Sequence, residues 1–504
     1  MGKLVRSLLV RFWYLRALAY KTFWKVRSFS YITYWKMRKL VPPLLVSFWY
    51  LRSLAYKTFW WMRSLPYRVK YLLRGLFYKY VFKYRTVKAA RIWIDFIHNK
   101  FFKIKVRLLH GIRGRKFILI AMSNYAATND VKTTILEPKK TLAISGPRFL
   151  GTYPFQPTVQ NIVHLDMPRL EITKLNNASV IGGTNFICTD SEAIHPDEFV
   201  PERDVCPAEL NGIAEISIES RSISIYSSRA ATIDTGISLL GSCTGNYAHW
   251  LTETLPKLIL VDTLGGYEEY PLLVDSWIHP NFVDSISLFN RSGRSIIKID
   301  RWNTVFVKSL VDISPPAYIP PEYRHFLETK TLVEPRATDF PFSRTALNML
   351  REAAHKAINL LPDDKPRKLY LHRARESCGN TRHVTNIAAI ERIVKDYGYE
   401  MLDPAKLSFQ DQILAFRGVE KIISPLGAAL ANAIFTKPGC KIIGLSPYYH
   451  NANYYYFSNF MATLGHEMYY VLGPQNDTGG HPLHKDYDID INAFSEAIEF
   501  LELN

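Results

Sequence analysis

Two side chains in the stretch GNYAHWLTETLPKL, residues 245–258, have types and spacing that suggest chemistry. His249 and Glu253 are four residues apart on a predicted helix, so they share one face of it. A carboxylate beside an imidazole orients the ring and stabilises its charged form, which predicts a general base with its orienting partner. In the other arrangement Glu253 is itself the base and His249 holds a substrate hydroxyl.

The same stretch also permits a purely structural interpretation. Asn246 stands where an N-cap residue would precede the helix, and His249 would then be satisfied by a neighbouring side chain. Trp250 either packs in the core or contacts a bound substrate. The residues of this stretch alone leave these alternatives open.

Small residues open a second predicted helix in KIISPLGAALANAIF, residues 421–435. A hydrophobic strand runs into Pro425, and Gly427, Ala428 and Ala429 follow at the start of the helix. Because no large side chain stands there, a ligand can approach the first N–H groups, which favour anions such as phosphate. The alternative is that these small residues serve close packing of the strand against the helix.

Basic residues cluster where another predicted strand ends, in LYLHRARESCGNTRHVTN, residues 369–386. Arg373 follows the strand directly, and Arg382 lies shortly before the next helix. Arginines gathered at the end of a parallel strand suit a diphosphate, through charge-assisted and often bidentate hydrogen bonds. The alternative is a solvated basic loop.

Predicted strands and helices alternate around these stretches. The strands are KLYLHR, YEMLDP, KIISPLG and KIIGLSP, and the helices are NIAAIERIVKDYG, SFQDQILAFRGV and AALANAIFT. This βαβαβαβ order predicts a doubly wound parallel sheet, on which ligands bind beyond the carboxyl ends of the strands. Short β-rich runs such as KFILIAM and SISIYSS predict further strands from about residue 117 onward.

Taken together, the three stretches resemble glycosyltransferase family 61. The first is similar to the family's N-[YF]-x-H-W-[LF]-x-[DE]-x-L-P-[RK]-L signature, and residues 369–386 resemble its strand ending in Ser-Arg before an Arg-Arg-x-x-Asn helix start. Residues 407–447 resemble its block L-S-x-x-E-Q-x-x-x-F … G-x-H-G-A-A-L-x-N-x-x-F-x-x-P-G. Order and spacing also agree, over about residues 240–450.

The resemblance implies a fold and a reaction. Members of the family have the GT-B fold, in which two Rossmann-like domains face a cleft. They transfer a sugar from a nucleotide sugar, generally a UDP-sugar, with inversion at the anomeric carbon and with no required metal ion or other cofactor. His249 and Glu253 are then the expected catalytic residues. The expected substrate and donor contacts are Asn246, Trp250, Arg373, Arg382, Asn386, Gly427, Ala428, Ala429 and Asn432.

The chain departs from the family pattern at four positions. Leu426 replaces the usual His before Gly-Ala-Ala, and His372 replaces the usual Ser. Thr381 replaces the first Arg of the Arg-Arg pair, and Asp411 replaces the usual Glu. A leucine neither binds phosphate nor carries a proton, so position 426 is assigned no such role.

Two other acidic pairs call for comment because some glycosyltransferases bind a metal ion through Asp-x-Asp. They are Asp363-Asp364 and Asp488-Ile489-Asp490. Both lie outside the stretches that resemble the family, and both are interpreted as surface loops.

Charge divides the chain into two parts. Residues 1–116 hold 28 Lys and Arg and a single acid, Asp95, while the remainder holds 35 basic and 44 acidic residues. A strongly cationic segment needs an anionic partner, either a membrane surface or a nucleic acid. The scattered cysteines form no C-x-x-C pair, which argues against a disulfide framework or a zinc site and for a reducing compartment.

Residues 1–116 also repeat. Residues 4–30 and 40–66 align with 19 identities in 27 positions. Within them an aromatic-Trp-x-x-Arg unit recurs every 11 residues, almost three helical turns, so its tryptophans form a nearly axial stripe with arginines beside it. This pattern is typical of helices that lie in an anionic membrane interface. The repeated tryptophans are Trp13, Trp24, Trp35, Trp49 and Trp60.

The longest run without a charge in this segment, residues 40–51, is too short to span a membrane. One alternative is a helical hairpin whose aromatic residues pack on the body. Nucleic-acid binding is another, but the regular helical phase suits a flat surface better than a strand, so no nucleic-acid partner is expected.

The sequence therefore predicts three parts. Residues 1–116 form an amphipathic helical arm on an anionic membrane surface, residues 117–335 an acceptor-side domain, and residues 336–504 a Rossmann-like donor domain with a C-terminal helix. The predicted function is a cytoplasmic glycosyltransferase, peripheral on the cytoplasmic face of the membrane, that extends a lipid-linked or growing surface glycan. The alternative is a catalytically inactive GT-B protein that organises glycan assembly, for which Leu426 is the main argument.

Overall fold

The structure is a computed structural model. It describes residues 113–151, 157–204, 214–301, 303–320, 334–358, 367–373, 382–476, 482 and 485–503, and these belong to one compact unit. Nearly all of the predicted arm, residues 1–116, lies outside the described residues, so its helices and its membrane contact stay predictions. Within the described ranges, no helix is both long and apolar enough to cross a membrane.

A large mixed sheet occupies the first half of the body. The strands of this half are β1 (Arg113–Ala121), β2 (Thr133–Glu137), β3 (Lys140–Ser145), β4 (Arg148–Phe149), β5 (Ile162–Met167), β6 (Leu170–Ile181), β7 (Ile187–Cys188), β8 (Glu192–His195), β9 (Ala214–Ser217), β10 (Ser222–Ser238), β11 (Leu272–Asp275), β12 (Ile296–Ile299) and β13 (Asn303–Ile313). Strands β3 and β5 form a separate antiparallel pair, and β4 joins another sheet.

Six strands of the large sheet close into a ring. The pairs run from β1 to β8, β7, β6, β13 and β10, and the long strand β10 pairs back with β1. Most of these pairs are antiparallel, so this part of the first half is not Rossmann-like. Alternate residues on each strand face the inside of the ring, as the pleat of a strand requires.

The other part of the large sheet is parallel. Its strands lie in the order β13, β10, β11, β12, all parallel to β10. The chain leaves β10 for β11 through helical residues 247–262, reaches β12 through the helix Pro280–Phe289, and then returns to β13 on the other side of β10. The carboxyl ends of β10 and β13 lie side by side at the same end of these parallel strands, and α/β sheets bind ligands beyond such carboxyl ends.

The second sheet has the predicted parallel order. Its strands are β14 (Arg367–Leu371), β15 (Glu400–Leu402), β16 (Val419–Pro425), β17 (Lys441–Pro447) and β18 (Glu467–Gly473). They lie in the order β15, β14, β16, β17, β18, and every pair is parallel. Ile422, Ile423, Ile442 and Ile443 are fully buried because helices cover both faces of the sheet.

Helices connect these strands close to the positions that the sequence predicts. The remaining α-helices are Met122–Thr128, Pro201–Asp204, Arg344–Ile358, Ile387–Asp396, Phe409–Phe416, Tyr455–Leu464 and Ile491–Leu503, with short 3₁₀ turns at Ala337–Asp339 and Pro404–Lys406. The predicted helix AALANAIFT differs in type, since Ala428–Phe435 is a 3₁₀-helix. The Asn432 amide donates to the Ala429 carbonyl at 3.2 Å, a local bond of the kind that competes with α-helical hydrogen bonds.

Strands and core residues from both sides of the predicted domain boundary at residue 335 pack together. Strand β4, from the first half of the chain, pairs in parallel with β18 at the edge of the second sheet. One apolar core contains residues from both halves, including Leu251 and Leu255 before the boundary and Leu430 and Phe435 after it. The body is thus a mixed α/β structure, and the GT-B arrangement of two facing domains stays a prediction.

Candidate active site

His249 and Glu253 lie on a helix that is irregular at their position. The helix consists of an α-turn, Tyr247–His249, a π-helical turn, Trp250–Thr254, and a regular α-helix, Leu255–Asp262. The Asn246 side chain caps it by accepting a hydrogen bond from the backbone N–H of Ala248 at 2.9 Å. The structural role proposed for Asn246 is therefore observed, and its contact with a substrate stays a prediction, since the residue is exposed.

The predicted pair is formed. His249 Nδ1 lies 2.9 Å from Glu253 Oε1, and the two side chains are 16% and 18% exposed. The pair is thus held in a fixed geometry while solvent or a substrate can still reach it. Single π-helical turns inside α-helices occur frequently at functional sites.

Trp250 is a core residue. Its side chain is fully buried, its Nε1 donates to Ser285 Oγ at 2.9 Å, and its ring stacks on Phe282 at 5.1 Å with an interplanar angle of 14°. The prediction that Trp250 contacts substrate is therefore wrong, and the alternative of core packing is correct. The indole anchors the helix on its neighbour, Pro280–Phe289, and so fixes the rotation that points Glu253 outward.

Glu253 faces a cavity at the carboxyl ends of β10 and β13. We call this cavity the first crevice; its lining includes Leu240, Gly241, Glu253, Thr254, Lys257, Asp312 and Pro315. Glu253 also lines an adjoining cavity that contains His195 and Tyr318. The topology of the parallel strands predicts a ligand site at this position, and the helix directs a carboxylate into it.

The polar groups around the first crevice are strongly affected by burial. Burial raises the pKa of Asp312, and the nearby Lys257 ammonium opposes that rise. Burial also raises the pKa of Glu198 to about 7. The charges of Asp197 and Glu171 act in the same direction, and the charge of Lys257 opposes them. A buried lysine among carboxyls keeps this wall of the crevice close to electrically neutral, because isolated buried charges are costly.

Asp275, at the end of β11, holds the loops of the first crevice together. One carboxyl oxygen accepts from the Gly183 N–H at 2.8 Å, and the other accepts from the Gly241 N–H at 3.3 Å and from the Thr244 hydroxyl. Burial raises the pKa of Asp275 to about 6, and these hydrogen bonds oppose the rise. This residue fixes the loop that leads from β10 into the helix of His249.

The second half of the chain also reaches Glu253. Tyr456, on the helix Tyr455–Leu464, has its pKa raised by burial and, to a lesser extent, by the negative charge of Glu253. The tyrosine hydroxyl therefore stays protonated beside the carboxylate. The immediate surroundings of Glu253 thus come from both halves of the body.

Arginines meet the Gly427 turn at the carboxyl ends of β14 and β16. We call this place the second crevice. Arg373 Nη1 donates to the Leu426 carbonyl at 3.2 Å, and a Cβ placed on Gly427 would lie 3.4 Å from Arg373 Nη1 and 3.9 Å from Arg382 Nη2. In this sheet the chain passes from β14 to β15 on one side and then to β16 on the other, so the second crevice is also a topological switch point.

Arg382 is held at the second crevice by its backbone. Its φ of 120° is unusual for a residue other than glycine, and Asp486 Oδ1 accepts from the N–H groups of Arg382 and His383 at 3.0 and 2.8 Å. The charges of Arg382 and Arg373 both act on the buried hydroxyl of Tyr487, opposing the rise that burial causes in its pKa. The structure therefore brings together the two arginines that the sequence separates.

Gly427, Ala428 and Ala429 lie at the start of the 3₁₀-helix, as predicted. The first N–H groups of a helix have no acceptor inside it, and the nearest side chains to Gly427 are the two arginines. Leu426, which precedes them, is 7% exposed and packs in the apolar core. Position 426 contributes its carbonyl to the second crevice while its side chain faces inward.

Asn386 and Asn432 do not reach a ligand site. Asn386 exchanges two hydrogen bonds with the backbone of Ile489, at 2.7 and 3.1 Å. Asn432 is fully buried; its amide donates to Gln412 Oε1 at 2.9 Å, and its oxygen accepts from the Tyr247 hydroxyl at 2.7 Å. Their prediction as donor contacts is corrected, because protein groups already engage both side chains.

The substituted positions and the acidic pairs singled out in the sequence lie as follows. His372 Nδ1 lies 2.6 Å from Glu391 Oε1, beside the second crevice. Asp488 accepts from Thr385, and Asp490 caps the C-terminal helix, so both lie in the predicted loop. Thr381 and Asp363-Asp364 lie outside the described residues. Within the part of the chain that the structure describes, no group of three or more His, Cys, Asp and Glu side chains is placed to hold a metal ion.

The body is of the mixed α/β class, and it contains both the His249–Glu253 pair and the strand edge where Arg373 and Arg382 meet the Gly427 turn. Residues 247–443, less than half of the chain, match the family model described as Glycosyltransferase 61. The matched segment carries His249, Glu253, Arg373 and the Gly427 turn, so the predicted resemblance to glycosyltransferase family 61 is confirmed over these residues. A comparison with curated proteins found no match.

Sequence reasoning missed four residues of this site. Lys257 was visible as the basic position of the first signature, and Asp275 as a carboxylate that ends the apolar run LLVD. Asp312 and Tyr456 carry no such signal. They approach the crevice from strands and helices far away in the sequence, which only the folded topology brings near.

Proposed function

We propose that the chain is an inverting glycosyltransferase that uses a nucleotide sugar, with UDP as the expected nucleotide, and requires no metal ion. The diphosphate of the donor binds in the second crevice, and the acceptor hydroxyl enters the first. The observation that carries the proposal is the fixed His249–Glu253 pair beside a cavity, in the same compact body as the arginines at Gly427. Each crevice lies where its sheet's topology favours a ligand.

Inversion needs one displacement step. A base removes the proton from the acceptor hydroxyl, whose oxygen forms a bond to the anomeric carbon while the bond from that carbon to the diphosphate breaks. The nucleoside diphosphate leaves with the electron pair. Arg373, Arg382 and the N–H groups at residues 427–429 stabilise its negative charge, the role of preorganised donors in such reactions.

Glu253 is the better candidate for the base. Its carboxylate lines both cavities at the end of β10, whereas His249 bonds to that carboxylate from one side through Nδ1. In this arrangement His249 orients Glu253. The reverse arrangement, with His249 as the base and Glu253 as its orienting partner, uses the same 2.9 Å contact and is separated from the first by the variants below.

The proposed acceptor is a lipid-linked or growing surface glycan. Residues 1–116 support this, because 28 basic residues with a repeating Trp and Arg pattern fit an anionic membrane surface. An enzyme held on the cytoplasmic face of a membrane meets acceptors that are anchored there. The location and the acceptor follow from the sequence pattern of the arm.

The test is release of UDP from a panel of UDP-sugars, with a membrane extract as acceptor. We expect Glu253→Gln to lower kcat by about 10²- to 10⁴-fold, the usual contribution of a general base. His249→Ala should lower kcat less than Glu253→Gln does if His249 only orients Glu253, and should lower it more if His249 is the base. The control is Glu269→Gln, an exposed carboxylate beyond the end of the same helix. If both variants keep kcat within a few-fold of the wild type, the pair is not catalytic.

The second candidate function is an inactive GT-B scaffold, which the loss of the usual His at position 426 favours. It predicts that UDP binds at the second crevice but that no UDP-sugar is turned over with any acceptor. The same donor panel distinguishes the two functions, because binding without release of UDP supports the scaffold.

A further inference from the structure

A separate cavity opens into one end of the ring of six strands. It has a volume of about 160 Å³ and is lined by residues of β1, β6, β7, β10 and β13 and of the loop after β7. Much of the ring interior is filled by an apolar cluster that includes Phe117, Ile181, Cys188 and Ile225. These four residues also form the floor of the cavity. The mouths of β-barrels are common sites for small ligands.

This ring cavity and the first crevice lie on opposite faces of the same strands. On β6, Ser179 and Ile181 line the ring cavity, while Val180 between them lines the first crevice. On β7, Cys188 lines the ring cavity and its neighbour Ile187 lines the first crevice. Because neighbouring residues of a strand point to opposite faces, the sheet itself separates the two cavities.

The rim of the ring cavity is polar and charged. Arg115, Asn177 and Asp190 are exposed there. The Arg115 guanidinium lies 5.1 Å from the centre of the Phe117 ring and donates to the Asp190 carbonyl at 3.3 Å, so its position is fixed by both contacts. Asn177 adopts a left-handed backbone conformation with a φ of 55°, and it presents an amide at the mouth.

Floor and rim differ in the chemistry they offer. The floor is apolar and uncharged, since burial raises the pKa of the Cys188 thiol to about 12. The rim combines a guanidinium fork, an amide and a carboxylate, which together donate to and accept from neighbouring hydroxyls. A sugar ring has the matching surfaces, a face of C–H groups and an edge of hydroxyls. A fatty acid lacks the polar edge, and a simple anion would meet the Asp190 carboxylate.

We propose that the ring cavity binds one sugar unit of a saccharide, at a site separate from the candidate active site. The C–H face of the sugar packs on Phe117 and Ile225, and its hydroxyls bond to Arg115, Asn177 and Asp190. The site holds a glycan at a distance from any reacting end. The assignment rests on the cavity and does not require the transferase activity proposed above.

The test is saturation-transfer NMR with the full-length protein. The probes are glucose, galactose, N-acetylglucosamine, xylose and glucuronate at millimolar concentration, each with and without UDP. We expect saturation transfer to at least one of them, retained in the presence of UDP. The double variant Arg115→Ala, Asp190→Asn should weaken that binding at least 10-fold, and Asn177→Gly, which keeps the left-handed backbone, should weaken it further.

The matched control is Lys116→Ala. Lys116 is exposed and lies next to Arg115 on β1, on the opposite face of the strand, so its loss should leave saccharide binding unchanged. Circular dichroism of each variant verifies folding. Replacement of the exposed side chains Arg115, Asn177 and Asp190 is not expected to affect it. The proposal is overturned if none of the five sugars binds, or if binding survives the double variant and is lost instead in Glu253→Gln.

Discussion

One hydrogen bond joins the helix that carries His249 and Glu253 to the helix that follows Gly427. The Tyr247 hydroxyl donates to Asn432 Oδ1 at 2.7 Å, and the Asn432 amide continues to Gln412 at 2.9 Å. Burial raises the pKa of Tyr247, so its hydroxyl keeps the proton that it donates. We predict that removing this bond with Tyr247→Phe both destabilises the body and slows turnover.

The magnitude follows from burial. Asn432 is fully buried, so loss of the Tyr247 hydroxyl leaves a buried acceptor without this donor, at a cost of about 1–3 kcal/mol. Asn432→Ala should cost more, because it also leaves Gln412 and Tyr247 without their partner. In the double variant the two changes should not add, and the coupling energy should be about 1–3 kcal/mol.

The effect on turnover follows from the place of the bond. Tyr247 is two residues before His249, and Asn432 lies on the helix that Gly427 precedes. A misplacement of about 1 Å between reacting groups costs about 10²-fold in rate. We therefore expect kcat to fall by about 10- to 100-fold in Tyr247→Phe, while UDP still binds, because the arginines are untouched.

The measurements are urea denaturation for stability, titration with UDP for binding and UDP release for kcat. Tyr397→Phe is the control, since that hydroxyl is exposed and makes a longer bond of 3.4 Å. The reasoning is refuted if Tyr247→Phe stays within 0.5 kcal/mol of the wild type, a margin typical of surface substitutions, or if the two single changes add in the double variant.

Three further predictions concern other parts of the chain. Burial raises the pKa of Asp275 from 3.8 to about 6. Its contribution to the free energy of unfolding is therefore present below about pH 4 and falls by up to about 3 kcal/mol as the pH rises through 6. Urea denaturation of the wild type and of Asp275→Asn at pH 4 and pH 7 measures this change, and a stability difference that is the same at both pH values contradicts the prediction. Arg373→Ala should weaken UDP binding by about 10- to 100-fold, the value of a charge-assisted hydrogen bond, whereas Arg367→Ala, at the other end of the same strand, should leave UDP titration unchanged. The full-length chain should float with anionic liposomes at physiological salt and a chain without residues 1–116 should not; flotation of both would show that the arm is not the anchor.

The parts of the site that the sequence predicts are those that local spacing determines. His249 and Glu253 meet because they are four residues apart on one helix. The Gly427 turn and Arg373 meet because a βαβ alternation places successive strand ends along one edge. Both contacts follow from the order of the elements and the periodicity of their apolar residues.

The errors have a common physical cause. Trp250, Asn386 and Asn432 are polar or amphipathic groups inside the matched stretches, and their types suit a ligand as well as a neighbour. Their partners, such as Ser285 and Ile489, are distant in the sequence, so nothing local shows that folding engages them. The mostly antiparallel ring was missed for a related reason, because β10 pairs with β1 only through contacts between segments about a hundred residues apart.

The structure also shows how far Leu426 supports the alternative of an inactive scaffold. Leu426 packs over Gly444, where a Cβ would lie within 2.8 Å of the leucine Cδ2, so its side chain belongs to the core. What position 426 gives to the second crevice is its carbonyl, which accepts from Arg373 at 3.2 Å. A carbonyl is the same for every residue type, and the N–H groups that follow also belong to the backbone. The loss of a histidine here therefore removes neither the anchor of Arg373 nor the donors at residues 427–429, and the main argument for an inactive scaffold weakens accordingly.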